Sequence, residues 1–139
     1  MTKEIWLNLP VKDLEKSKAF FTALGFSFNT KFGNTESSAC LLVGSKNVAV
    51  MLFTEAAFKG FTQGNIADTK MGSEILISID AESKEEVDEL AAKAESAGGL
   101  VFGKPQESQG WMYGCGFADL DGHKWNVLYM YMTKMQQPQ

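Results

Sequence analysis

The sequence predicts an α+β fold made of two β-α-β-β-β modules in tandem. Three observations carry this expectation. An alternating apolar stretch, a helix-capping residue, an amphipathic run and a closing glycine occur in that order twice. Strand-rich sequence follows each of these openings, and a glycine-bearing connector lies between the two halves.

In the first half Ile5, Leu7, Leu9 and Val11 alternate with Trp6, Asn8 and Pro10, the period of a strand with one face buried. Asp13 is placed to cap a helix, and Leu14, Ser17, Phe21 and Leu24 share one face of it. Gly25 ends that helix. Strands are expected near 27–31, 38–43 and 48–54, with turns at Gly33-Asn34 and Gly44-Ser45. The second half opens with Ile75, Ile77 and Ile79 alternating with Glu74, Leu76, Ser78 and Asp80. Ser83 and Glu86 have capping-box spacing, and Val87, Leu90, Ala91 and Ala94 form the apolar stripe of the helix that follows. Gly98 and Gly99 stop it. Strands are expected near 100–102, 112–118 and 124–132, with Asp119-Leu120-Asp121-Gly122 turning the last pair. Module one is therefore placed at 4–55 and module two at 74–132, with a connector at 56–73 and a disordered polar tail at 133–139. The connector reads as a long loop with room for one short helix, on which Phe58 and Phe61 either cover a cavity or pack on the neighbouring sheet.

Composition narrows the function. Of 139 residues, 45% are hydrophobic, enough for a full core. The net charge of -4 and the absence of any lysine cluster argue against nucleic-acid binding, which needs a basic face. No apolar run approaches the ~20 residues that span a bilayer, and the first ten residues do not read as a secretory signal. A cytoplasmic protein without membrane or nucleic-acid partners is expected. Cys40 and Cys115 are too far apart for a local redox or zinc motif and are expected as free thiols.

Specific segments go further. The opening Val11-Lys12-Asp13-Leu14-Glu15-Lys16-Ser17 with Phe20-Phe21 and Leu24-Gly25-Phe26 resembles the vicinal oxygen chelate superfamily. So does Asp119-Leu120-Asp121-Gly122-His123-Lys124-Trp125, where Leu120 replaces the proline usual in that turn. This group includes glyoxalase I, extradiol dioxygenases, fosfomycin-resistance enzymes and bleomycin-resistance proteins. The resemblance covers roughly residues 4–132. It implies a cup-shaped, curved mixed sheet with the helices outside, a ligand site on the concave side, and a homodimer.

Alternation assigns the concave face. If Ile5, Leu7 and Leu9 meet the helix, Trp6 and Asn8 look the other way. Glu74, Leu76 and Ser78, then Met51 and Phe53, then Asn126 and Leu128, follow by the same logic. In metal-dependent members each of four strands supplies one ligand, usually His or Glu. The resemblance carries those positions onto Trp6, Met51, Glu74 and Asn126. Only Glu74 is a good ligand, and a lone carboxylate without imidazole should not hold a catalytic divalent ion firmly. No metal and no cofactor are therefore expected. His123, the single histidine, is expected as a surface residue of the hairpin, the alternative being a general base.

The leading expectation is a protein that binds a small, partly apolar molecule in the concave cup without a metal. Trp6, Asn8, Met51, Phe53, Trp111, Tyr113 and Asn126 are its candidate contacts. The alternative is a lyase or dioxygenase-type enzyme with an altered site, using Glu74 as base or lone metal-binding carboxylate. Glu74 reads equally well as a solvated strand-end carboxylate. A third reading, a purely structural or interaction subunit, has no residue in its favour.

Overall fold

A computed structural model of the protein describes residues 1–131. The expected tail, and the last residue of the expected final strand, lie outside the described residues. The chain divides into two compact units, Met1–Asp68 and a second beginning at Thr69.

The first unit runs β1 (Leu7–Val11), α1 (Leu14–Ala23), β2 (Ser27–Asn29), β3 (Ser38–Val43), β4 (Val48–Thr54) and α2 (Glu55–Thr62). Its sheet has the order β1-β4-β3-β2. β1 runs parallel to β4, and the other pairs are antiparallel. The Asp13 carboxylate caps α1 by accepting from the Lys16 N–H at 3.1 Å. The helix then buries Leu14, Ser17, Phe20 and Phe21. Pairing register puts Leu9, Leu52, Ala39, Val50 and Leu41 on one face of the sheet, and all five are buried. Phe21 meets Phe20 and Phe26 edge to face, with centroids 5.1 and 5.9 Å apart.

The second unit runs β5 (Leu76–Asp80), α3 (Lys84–Ser96), β6 (Leu100–Ser108), β7 (Met112–Ala118) and β8 (Lys124–Met130). Its order is β5-β8-β7-β6, again with the first strand parallel to the last. Ser83 accepts from the Glu86 N–H, and the Glu86 carboxylate accepts from the Glu82 N–H, a reciprocal cap. Val87, Ala91 and Ala94 face Cys115, Phe117, Trp125 and Val127, all of them buried. The rings of Phe117 and Trp125 stack 6.3 Å apart. The fold is thus α+β, with the β-α-β-β-β order twice.

Three expectations need correction. The alternation of the opening strand runs past its ladder: pairing with β4 starts at Leu7, so Ile5 and Trp6 precede β1 and are 80% and 55% exposed. β6 extends to Ser108 because register shifts near Gly103 let it continue beyond the short apolar run. The connector carries the one short helix it had room for, eight residues capped by Thr54 and ended by Gln63 in the left-handed region. His123 is not a surface residue but buried at 8% exposure, because the turn folds back over the Asp119 carboxylate.

Candidate functional site

In the first unit one face of the sheet is covered by α1. The register places Asn8, Met51, Cys40 and Asn29 in one row across the other face. An open cavity of about 480 Å³ lies there, the size of a small-ligand site. Met51 and Cys40, nearly fully buried, belong to its lining, as do half-buried Leu42 and Ala49. Trp6, Phe32 and Ile5 are exposed apolar parts of the wall, and Glu4, Lys46 and Asn47 are its exposed polar parts.

Local chemistry shapes this wall. The Asn29 side-chain oxygen accepts from the N–H groups of Lys31 and Phe32, both at 2.9 Å, which turns the chain and sets Phe32 beside the cavity. Gly33, at φ +71, lets the same loop lie against the floor. A Cβ there would stand 2.7 Å from the Met51 methyl carbon. Burial raises the Cys40 thiol above its ordinary range, so it remains a neutral, weakly polar group.

The candidate contacts distribute unevenly. Trp6 and Met51 line the cavity. Asn8 shares the row of Met51 but is exposed outside the lining. Phe53 shares the face two residues on, where its ring meets Phe61 of α2 at 5.0 Å. Sequence reasoning missed Asn29, Phe32, Cys40 and Leu42. The signal for the first two is the turn-prone stretch from Asn29 to Gly33.

In the second unit Asn126 lies between Ser78 and Gly116, on the face turned away from α3. Its side-chain oxygen is buried without a hydrogen-bond partner. Phe102 covers Gly116, since a Cβ there would stand 2.5 Å from its ring. Tyr113 falls on the opposite face, in register with Tyr129. Its hydroxyl donates to the Asp88 carboxylate of α3 at 2.7 Å, and that hydrogen bond raises its ionisation above the ordinary phenol range. Lys84 stands 5.6 Å from the ring, so Tyr113 fastens helix to sheet. Trp111 sits in the β6–β7 turn, half-buried, with its carbonyl accepting from the Tyr131 N–H. Glu74 lies on exposed chain before β5.

The donor set does not suit the metal of the chelating enzymes. Indole, thioether, carboxylate and neutral amide stand at the four positions of the resemblance. Among the described residues no group of three or more His, Cys, Asp or Glu side chains could hold a metal ion. No helix among them is long and apolar enough to cross a membrane.

Known proteins share this fold. Residues 3–44 match the family described as bleomycin resistance protein-like, N-terminal. A solved structure of a hypothetical protein from S. aureus is 38% identical, with a TM-score of 0.82 over 93% of this chain and 94% of that one. A glyoxalase/bleomycin resistance protein/dioxygenase family enzyme from Burkholderia phytofirmans PsJN shares the fold at 18% identity and a TM-score of 0.76, over 90% and 96% of the two chains. The fosfomycin resistance protein FosX from Listeria monocytogenes does so at 20% identity and a TM-score of 0.65, over 93% and 91%. No curated protein matches significantly.

Proposed function

We propose that this chain is a member of the vicinal oxygen chelate superfamily, the glyoxalase and bleomycin-resistance group, and that it binds a small, partly apolar molecule without a metal. The observation that carries the reading is the 480 Å³ cavity on the open sheet face of the first unit, with Trp6, Phe32, Leu42 and Met51 in its lining. Sites for small molecules are concave and mostly apolar, with few polar groups, and this one has that make-up.

The donor mismatch at the four positions supports a metal-free mode of binding. The enzymatic alternative needs Glu74 in an active position, and its place on exposed chain ahead of β5 gives that reading no support. A homodimer is the assembly we propose. Exposed Leu76 and Leu100 share a cross-sheet row with Lys124 and Ala118 in the second unit, and exposed apolar surface of this kind is often covered by a partner.

A thermal-shift screen of neutral aromatic compounds tests the reading. A hit should raise the melting temperature of the wild type. The rise should vanish in Trp6→Ala, whose own melting temperature stays near wild type because Trp6 lies outside the sheet and is half exposed. A hit that stabilises both proteins equally would place the ligand elsewhere.

A further inference from the structure

We propose that the cavity of the first unit selects neutral, planar molecules carrying a carbonyl-type acceptor, and that Asn29 is the residue that reads that acceptor. The inference rests on the binding function proposed above and adds the chemistry of the ligand.

Asn29 is half-buried within the lining, in the same cross-strand row as Cys40 and Met51. An amide side chain can present either its oxygen or its nitrogen, and here the backbone decides. Two N–H groups, those of Lys31 and Phe32, point at one atom of the side chain, and only an oxygen can accept from both. The amide nitrogen is thereby left as the atom that can bond to something else. It carries two hydrogens and no lone pair to offer, so it recognises an acceptor.

The rest of the lining fits an uncharged partner. Its apolar surface comes from Ile5, Trp6, Phe32, Leu42, Val48 and Met51. Its two ionic residues, Glu4 and Lys46, are of opposite sign, and both are exposed. The chain contains thirteen lysines and no arginine, so no guanidinium fork is available to grip a carboxylate or phosphate in two-point fashion. Cys40 is a buried thiol. A planar apolar body against the aromatic wall, with one acceptor toward Asn29, satisfies each of these groups.

Asn29→Asp separates the two jobs of the side chain. The aspartate oxygen still accepts from the Lys31 and Phe32 N–H groups and keeps the turn, but the amide donor is lost. The probes are acetylnaphthalene and ethylnaphthalene, near-isosteres that differ by one carbonyl oxygen. Affinities are measured by equilibrium dialysis on the full chain. Wild type should bind the ketone roughly five- to tenfold more tightly, the worth of about one hydrogen bond. In Asn29→Asp that preference should disappear while the affinity for ethylnaphthalene stays within about twofold, because apolar contact is unchanged. Equal binding of the two probes by wild type, or a preference that survives in Asn29→Asp, would overturn the role of Asn29 and leave the cavity as a site. If neither probe binds wild type, or both bind Trp6→Ala equally well, the cavity itself is not the site.

Discussion

Replacing Asp119 with alanine should destabilise the second unit more than any other single change at a charged residue. The carboxylate is 6% exposed and holds the β7–β8 turn from within. One oxygen accepts from the N–H groups of Asp121 and His123, both at 3.0 Å, and the other from the Trp125 indole N–H at 3.2 Å. The His123 and Trp125 bonds are buried, so alanine strands two donors where water does not reach. At about 1–3 kcal/mol per stranded donor the loss is roughly 2–6 kcal/mol, a large part of the ~5–15 kcal/mol that holds a typical domain together. Urea unfolding followed by tryptophan fluorescence measures it, since buried Trp125 reports on this turn. A loss under about 1 kcal/mol would show that the turn does not depend on its carboxylate.

The same residue carries a pH signature. Burial raises the Asp119 carboxyl above its ordinary value of 3.8, against the opposing effects of the His123 charge and of hydrogen bonds from Trp125, His123 and Asp121. The folded carboxyl therefore holds its proton more tightly than the unfolded one. Its contribution to stability is fully present below the unfolded value of 3.8 and is lost as pH rises through the raised folded value. Asp119→Asn removes that titration. Wild type should lose ground to Asp119→Asn as pH climbs through that window, and a pH-independent difference between the two would refute the assignment.

Four further outcomes are expected. Gly114→Ala should cost about 1–3 kcal/mol, because its Cβ would stand 2.6 Å from the Leu128 side chain and 2.8 Å from the Val127 carbonyl oxygen. Gly60→Ala, in α2 with open space around it, should instead stabilise by up to about 1 kcal/mol, and paired denaturation curves decide both. Asn126→Leu removes a buried, unpartnered oxygen and should raise the melting temperature, whereas a fall would mean that the amide has a role in stability. Burial and the Asp88 charge push the Cys115 thiol up to about 11, and Cys40 is raised by burial. Ellman's reagent at neutral pH should therefore label neither thiol until denaturant is added, and rapid labelling of the native protein would refute this.

Much of the fold was legible because its signals are local. Asp13 and Ser83 announce the two long helices through caps that form within a few residues of each signal. The strands 38–43, 48–54 and 112–118 stand where apolar runs between turn signals put them. What was hidden depends on partners distant in sequence. Nothing near Ile5 says that the ladder with Val50 begins two residues later, and nothing near Gly103 says that β7 will accept a strand with shifted register. His123 looks like any polar turn residue until the Asp119 carboxylate is seen beneath it. Of the cavity lining, alternation reaches Trp6 and Met51, but it treats a strand as straight and ends with it. The cavity wall depends on the loop after β2, whose course is set by one asparagine side chain.

The order of strands bears on how each sheet meets other polypeptides. β1 and β2 flank one sheet, β5 and β6 the other. A flanking strand offers unpaired amides on which a foreign strand can grow, the first step of fibril formation. Pro10 in β1 and Pro105 in β6 have no amide hydrogen to donate, and β2 is three residues long, too short a template. The shifts of register in β6 twist that margin away from flatness. Three of the four margins thus carry their own guard against uncontrolled growth, and β5 carries none of these devices.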